Sequence, residues 1–191
     1  LGGNFASQTL LDKIREQIIA VGVPTLCLDY DYDFCESIYA EDKPVIERMT
    51  DHLIDVHGCR DIMCLTGPKG NTPAMSRLEG YRRSMEKHGL EVKESNIVYG
   101  DFWKPAAQRL AKEISGRKRP IPDAVVCAND VMAMNLCNEL ISGGIKVPEQ
   151  VKITGYDGAR EAFDNIPSIS TVFPENTHLG ASAVCRLHEM I

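Results

Sequence analysis

The sequence lacks any apolar run long enough to cross a bilayer, and its opening residues lack the charged-then-apolar pattern of a signal peptide. Basic clusters are also scarce. The formal net charge is −6, and the one basic cluster, Arg117 to Arg119, lies in a short Gly/Pro-flanked segment without interleaved aromatic residues. Nucleic-acid-binding domains concentrate basic residues on one face. We therefore interpret the cluster as a solvated loop, and we expect neither membrane contact nor direct contact with DNA.

Paired cysteines are absent as well. The seven cysteines are an odd number, and no two have CxxC spacing. Cys27, Cys64 and Cys127 lie within apolar runs typical of buried strands, where cysteine behaves as a small hydrophobe. Free thiols in this number indicate a reducing compartment. The sequence therefore predicts a cytoplasmic protein whose stability does not depend on disulfides.

The sequence also lacks the motifs of common catalytic sites: there is no GxSxG elbow, no GxxxxGK[ST] phosphate loop and no HExxH. His52 and His57 share a predicted helix at a spacing of five, which places them on different faces and disfavours a metal site. We therefore predict no catalytic residue, no metal and no cofactor.

What the sequence does contain is an alternation of helical periods with short apolar runs, which is typical of an α/β protein with a parallel sheet. Pro44 and Pro105 suit first helical turns, while Gly89 and the pair Gly143-Gly144 suit helix C-terminal caps. The predicted helices cover residues 7–20, 44–57, 74–88, 104–115, 130–142 and 177 to the end. The predicted strands cover residues 24–29, 62–67, 96–100, 123–128 and 151–156.

Polar residues follow the predicted strands. The segments are CLDYD, LTGPKGN, VYGDFW, VCAND and TGYDGAR. Ligands of parallel sheets bind outside the carboxyl ends of the strands. We therefore expect Asn129 and Asp130 at the mouth of a cleft, with Asp130 also capping the next helix. For this pair alone, a cap without any binding role is the alternative.

These residues carry a family resemblance. The stretch IPDAVVCANDVMAMNLCNELISGGIKVPEQVKITGYDGA, followed by PSISTVFP, resembles the effector-binding domain of the lactose-repressor (LacI/GalR) family of transcription regulators. The upstream stretch from HLIDVHGCRDIMCLTGP to YGDF resembles the same family in the same order, so the similarity spans residues 23–191. The combination of AND, VPEQVKITGYD and STV is specific, although each piece alone is weak.

The resemblance implies a periplasmic-binding-protein-like fold, in which two doubly wound parallel-sheet lobes are joined by three crossover strands. The first crossover would fall near Arg60-Asp61 and the second near Thr171-Phe173. Residues 1–59 and 174–191 would then form the first lobe, and residues 60–173 the second. Family members usually carry further first-lobe residues upstream, so the first lobe is expected to be incomplete in this chain. A DNA-binding domain would be a separate part of the protein.

The resemblance also marks ligand contacts, which are Asp29, Arg77, Phe102, Asn129 and Asp157. The carboxylates accept hydrogen bonds from hydroxyl groups, the guanidinium bridges two ligand oxygens, the amide donates and accepts, and the ring offers a flat apolar face.

Two further residues join this set. Trp103 is an alternative to Phe102 as the aromatic contact, and Asn71 lies in a loop where several family members carry hydroxyl side chains. Alternatives without a ligand remain open. Arg77 could pair with a surface carboxylate, Phe102 or Trp103 could pack in the core, and Asp157 could be a turn residue.

The leading hypothesis is therefore a non-enzymatic sensor: the effector-binding domain of a cytoplasmic LacI-type regulator. A sugar-like or nucleoside-like effector would bind between the lobes and act through lobe closure and the geometry of a homodimer. One alternative with the same fold is a secreted solute-binding protein of a sugar transporter, against which seven cysteines argue. Another is an α/β enzyme acting on a sugar or nucleotide, for which no nucleophile can be named.

Overall fold

A computed structural model describes residues 8–174 and 176–191. The helices are Gln8–Val21 (α1), Asp42–Asp55 (α2), Thr72–Lys87 (α3), Lys104–Ser115 (α4), Asp130–Ser142 (α5), Arg160–Asp164 (α6) and Asn176–Glu189 (α7). The strands are Leu26–Leu28 (β1), Glu36–Ile38 (β2), Ile62–Thr66 (β3), Ile97–Tyr99 (β4), Ala124–Cys127 (β5) and Lys152–Thr154 (β6). No helix in these ranges is long and apolar enough to cross a membrane.

The described residues divide into two compact units. Residues 8–41 and 176–191 form the first unit, and residues 42–174 form the second. We predicted the boundary after residue 59, whereas the second unit begins at Asp42 and so includes α2. Ile46, Leu53 and Ile54 of α2 are buried in one apolar cluster with residues of α3.

The second unit is built on a four-stranded parallel sheet in the order β4-β3-β5-β6. The central strand β3 is buried along its whole length, and Leu65 pairs with Val98 on one side and with Cys127 on the other. Because the strands are parallel, their carboxyl ends meet at one edge of the sheet. The segments that follow β3, β4, β5 and β6 are therefore brought to the same edge.

Helices cover both faces of this sheet. Met63 and Leu65 of β3 join a cluster with α4 and α5, whereas Ile62 and Cys64 join a cluster with α2 and α3. Three alanines on α4 allow that helix to lie close to the sheet; they are Ala106, Ala107 and Ala111. A fully buried leucine in such a core contributes roughly 1.5–3 kcal/mol.

Caps end the helices of this unit. Gly89 and Gly144 follow α3 and α5 with φ angles of 64° and 81°, a conformation that favours glycine, so these predicted C-terminal caps are confirmed. Asn129, not Asp130, is the N-cap of α5: its side-chain oxygen accepts a hydrogen bond from the backbone N–H of Met132 at 2.9 Å. Our assignment of this cap to Asp130 was therefore wrong. Both residue types are favoured at an N-cap, and because α5 begins at Asp130, as predicted, its cap is the residue before it.

Polar contacts hold both ends of β3. At the amino end, the Asp123 carboxylate accepts hydrogen bonds from the backbone N–H groups of Arg60 and Asp61, at 2.7 and 2.9 Å. These two bonds lower the pKa of Asp123. At the carboxyl end, the Thr66 hydroxyl donates to the carbonyl of Ala74 at 3.0 Å.

The first unit contains the short parallel pair β1-β2 together with α1 and α7. Its α7 is tied to β2 by Arg186, whose Nε and Nη2 donate to the carboxylate of Glu36. The cysteines of both units are thiols, of which Cys185 is exposed. Burial raises the pKa of the Cys64 thiol to about 12, so it is protonated at neutral pH.

Candidate functional site

Arg77 lies at the centre of the candidate site, at the carboxyl edge of the second unit's sheet. It projects from α3 and is only 14% exposed. Its Nε donates to Asp42 Oδ2 at 2.8 Å, and its Nη1 donates to the carbonyl of Ala128 at 2.6 Å. The guanidinium also stacks 3.9 Å from the centroid of the Tyr156 ring. The carboxylate to which Arg77 is hydrogen-bonded, Asp42, is buried and not a surface group.

Asp42 and Tyr156 complete this arrangement, and we did not predict either as a site residue. Asp42 begins α2 and is only 3% exposed, so its charge requires compensation. Arg77 provides that charge, and the Tyr156 hydroxyl donates to the second carboxylate oxygen, Oδ1. Burial and the adjacent Asp42 raise the pKa of Tyr156, which keeps the hydroxyl protonated as a donor.

Asp157 faces the same guanidinium from the loop after β6. Its Oδ1 lies 3.8 Å from Nη1 of Arg77, and its side chain is 46% exposed. The residue has φ of 114°, a conformation that side-chain-bearing residues rarely adopt. The pKa of the carboxyl is raised to about 6, mainly by burial and also by the charges of Asp130 and Asp42, while Arg77 lowers it.

The site therefore offers a donor and an acceptor side by side. Within the residues that the structure describes, Nη2 of Arg77 donates no hydrogen bond, whereas Nε and Nη1 are both engaged. The Asp157 carboxylate is partly exposed and accepts no hydrogen bond from any described residue. A hydroxyl group can donate to the carboxylate and accept from the guanidinium, so this pair suits a neighbouring diol.

The two predicted asparagines are engaged as helix caps. Oδ1 of Asn129 accepts a hydrogen bond from the backbone N–H of Met132, and its Nδ2 donates to the carbonyl of Phe102 at 3.0 Å. Asn71 caps α3 by accepting from Ala74 N–H at 3.0 Å. Asn129 adjoins Ala128, so it lies in the same part of the sheet edge as Arg77. Both asparagines therefore act as helix caps, and each has only part of its amide group left to bind a ligand.

The two predicted aromatic residues differ in exposure. The Phe102 ring lies directly over Gly67, so closely that a Cβ at that position would fall 2.3 Å from Cζ of the ring. Phe102 also packs against the cluster of α4 and α5, which matches the core alternative in part. Trp103 is 66% exposed at the start of α4. It contributes little to the core and is available to a ligand.

Asp29, the remaining predicted residue, belongs to the first unit. It follows β1 with φ of 62°, and its Oδ1 accepts a hydrogen bond from Ala40 N–H at 2.7 Å. Its backbone N–H donates to the carbonyl of Ile38, the last residue of β2. These bonds fix its local conformation within that unit.

A cavity of about 610 Å³ lies at the opposite, amino end of the second unit's sheet, beside the basic loop. Arg119 pairs there with Glu113, and its Nη1 donates to the carbonyl of Ser95 at 2.6 Å. The C-terminal end of α4, whose partial charge is negative, also faces this region. Arg119 is thus engaged by Glu113 of α4 and by a backbone carbonyl, and we assign no site to this cavity.

Comparison with known proteins identifies the family. The sequence model of the periplasmic binding protein-like domain matches residues 50–191, well over half of the chain. This chain belongs to that family. Among curated proteins, this periplasmic binding protein-like domain is 32% identical over 165 residues to the ribose operon repressor of Escherichia coli K12, covering 85% of the chain and 49% of that protein. It is 35% identical over 142 residues to the transcriptional repressor PurR of Vibrio parahaemolyticus, covering 74% of the chain and 42% of that protein.

Solved structures give the same result for this periplasmic binding protein-like domain. A LacI-type transcription regulator from Bifidobacterium animalis is similar with a TM-score of 0.77 and 25% identity, over 87% of the chain and 64% of that structure. The complex of the transcriptional regulator CelR with cellobiose is similar with a TM-score of 0.74 and 27% identity, over 84% of the chain and 50% of that structure. The resemblance to LacI-type regulators and the α/β fold that it implied are confirmed. The chain spans about half the length of the curated relatives it matches.

Proposed function

We propose that this chain is the effector-binding domain of a LacI-type transcription regulator and that its effector is a small hydroxyl-rich molecule, a sugar or a nucleoside. One observation carries the proposal: Arg77 is fixed by Asp42, Ala128 and Tyr156, yet its Nη2 donates to no described residue while its Nη1 lies 3.8 Å from Asp157. A donor held in place before a ligand arrives loses little entropy on binding. Its relatives are transcriptional repressors, and the ribose operon repressor and the CelR-cellobiose complex make a sugar a suitable first candidate.

The ligand contacts proposed in the second unit are Arg77 and Asp157, with Asn129, Asn71, Phe102 and Trp103 as further members of the set. Asp29 is the member from the first unit. Effector binding that favours a closed arrangement of two lobes is part of the same proposal, since a ligand shifts a conformational equilibrium by its differential affinity. DNA would be bound by a separate domain of the complete regulator.

We also propose that the regulator acts in the cytoplasm as a homodimer. Phe163 and Ile166, near the end of α6, are 58% and 88% exposed, and a second copy of the chain would remove these apolar side chains from water. Sedimentation equilibrium of the complete protein measures the mass, and a mass of one chain at micromolar concentration would contradict the dimer.

The test of the sensor is a thermal-shift screen of sugars, polyols and nucleosides on the complete protein, followed by calorimetry on any compound that stabilises it. We expect Asp157→Ala to weaken binding by about 1.5–3 kcal/mol, because a charged hydrogen-bond partner is lost. Asp164→Ala is the matched control: its side chain is 73% exposed and lies 3.7 Å from Arg160, remote from Arg77 in the contacts it makes.

Three outcomes would contradict the proposal. A screen without any stabilising compound would argue against a small-molecule effector. Equal affinities of Asp157→Ala and Asp164→Ala would show that the site is misplaced. Recovery of a chemically altered compound after incubation would indicate an enzyme and not a sensor.

A further inference from the structure

Asp130 is a buried carboxylate that the helix cap does not use. It begins α5 with its side chain fully buried, while Asn129 provides the cap. Its Oδ1 accepts a hydrogen bond from the Thr171 hydroxyl at 2.6 Å, and its Oδ2 accepts one from the backbone N–H of Ala159 at 2.7 Å. A Cβ at Gly155 would fall 2.1 Å from Oδ1 of Asp130, so the residue at position 155 must be a glycine. Both partners of Asp130 lie close to the segment that carries Asp157.

That segment, residues 156–159, is held from two sides. From α5, the backbone N–H of Asp130 donates to the Tyr156 carbonyl at 2.8 Å. From the segment after α6, Val172 accepts from Asp157 N–H at 3.1 Å, and the Thr171 hydroxyl oxygen accepts from Gly158 N–H at 3.2 Å. The backbone of Asp157 is thereby kept in its unfavourable positive-φ conformation by contacts outside its own loop.

We infer that Asp130 and Thr171 are positioning residues for Asp157: their hydrogen bonds fix the loop that directs the Asp157 carboxylate at Arg77. The role in affinity rests on the proposed function, whereas the role in placing Asp157 does not. Neither residue belongs to the set of ligand contacts. They act through the 156–159 backbone and so determine how well the site is formed before a ligand arrives.

The Thr171 hydroxyl is the atom that joins the two sides. It donates to Asp130 and accepts from Gly158 N–H, so its removal breaks both links at once. Valine has nearly the same shape as threonine without this hydroxyl, and serine keeps the hydroxyl without the methyl group. The pair Thr171→Val and Thr171→Ser therefore separates the hydrogen bonds from packing.

Thr154 supplies a matched control. It is buried at the end of β6, in the strand that leads to Asp157, and its hydroxyl has no hydrogen-bond partner among the described residues. Thr154→Val makes the same chemical change in the same part of the protein and breaks no bond to the 156–159 loop.

The experiment is a carbon-13 titration of the Asp157 carboxyl in the complete protein, without ligand. In the unmodified protein, Asp157 faces Arg77, Asp130 and Asp42, and its pKa is raised to about 6. Once the loop is loosened in Thr171→Val, water reaches the carboxyl, and we expect the pKa to fall toward the ordinary value of 3.8. Thr171→Ser and Thr154→Val should keep the value near 6.

An unchanged Asp157 pKa in a folded Thr171→Val variant would overturn the inference. A fall of the same size in Thr154→Val would also overturn it, because the effect would then not depend on the two hydrogen bonds. Circular dichroism reports whether each variant is folded. If Thr171→Val is not, Thr171→Ala removes the hydroxyl with a smaller side chain and is read by the same titration.

A second measurement uses whichever sugar or nucleoside the thermal-shift screen yields. We expect its dissociation constant to rise at least about tenfold in Thr171→Val and to stay unchanged in Thr154→Val, as for the loss of a hydrogen bond to a charged group. If no compound binds the unmodified protein, the sensor proposal fails while the titration still decides the role of Thr171. An unchanged dissociation constant together with a lowered pKa would remove the link between positioning and affinity.

Discussion

Asp157 is held under conditions that do not favour an aspartate. Its φ is 114°, its carboxyl is partly desolvated, and its cation, Arg77, is at 3.8 Å and bonded more closely to other partners. Residues with such backbone strain and raised pKa values cluster at functional sites, because a ligand can satisfy what the folded protein leaves unmet. A surface carboxylate in an ordinary turn would have neither property.

We expect Asp157→Asn to stabilise the unliganded protein at neutral pH. Asparagine keeps the shape and tolerates positive φ, but it removes the desolvated charge. Because the folded-state pKa of about 6 exceeds the ordinary 3.8, the folded protein binds more protons than the unfolded chain between these values. Asp157 therefore lowers stability progressively as pH rises through this window, and above it the full loss remains without growing further.

Urea denaturation checks this pH dependence. The gain in Asp157→Asn should be about 1 kcal/mol at pH 7.5, since the half-exposed carboxyl is screened by water, and it should vanish near pH 4. The control is Asp164→Asn at the exposed end of α6, where no such gain is expected. Equal gains at both pH values would argue that charge is not the cause.

Individual site residues were predictable from the sequence only where a strand end or the family resemblance marked them. Arg77 and Asp157 were found in this way, and the structure brings them together. Asp42 and Tyr156 were not, because 114 positions separate them along the chain and only the folded second unit brings the start of α2 beside the loop after β6. Which member of the Asn129-Asp130 pair caps α5 depends on where the turn begins, which periodicity does not resolve.

Among the elements, α2 and α3 are in unusually close contact. A Cβ at Gly80 of α3 would lie 2.4 Å from the backbone carbonyl oxygen of Lys43 in α2. This contact holds Asp42 beside Arg77, so the spacing of the two helices affects the candidate site directly. The apolar face of α2 was visible in the sequence, but that face did not reveal which unit the helix covers, which explains the misplaced boundary at residue 59.

A pair of glycine substitutions tests this contact. We expect Gly80→Ala to destabilise the protein by about 1–3 kcal/mol, because the added methyl group meets rigid backbone. Gly180→Ala, within α7, meets nothing within 4 Å and should stabilise by about 0.5–1 kcal/mol through helix propensity. Thermal denaturation of both variants provides the measurement, and a neutral Gly80→Ala would mean that the helices separate easily.

Two elements were missed from the sequence for a common reason. The strand β2 has three residues and is only partly buried, while α6 has five residues. Neither is long enough to show a repeat of two or of 3.6 residues. The longer helices and the buried strands were all predicted within a few residues of their ends.

At the scale of the molecule, the second unit has a complete core of its own. All residues of both apolar clusters, on the two faces of the sheet, lie between residues 42 and 174. The contacts of Arg77 with Asp42, Ala128, Tyr156 and Asp157 lie there as well. The described residues of both clusters and of this part of the site thus all belong to the second unit.

We therefore expect residues 42–174 to fold when produced alone. Denaturation should be a single cooperative transition, and the Asp157 carboxyl should titrate with a pKa of about 6, the value expected for the full chain. Circular dichroism and carbon-13 titration measure these two properties. A fragment without a cooperative transition would show that the second unit depends on the first.

The polar contacts at the two ends of β3 have a consequence for folding errors. Every residue of β3 is buried, so a slip of one position would exchange Ile62 and Cys64 with Met63 and Leu65 and still present apolar side chains to both helical layers. Hydrophobicity alone thus does not penalise misalignment of the central strand. The Asp123 carboxylate would lose its two backbone donors in such a slip. The alignment of β3 is thus favoured by an aspartate outside the core. We expect a substitution of Asp123 to leave the apolar core intact and to increase the share of misaligned, aggregating chains.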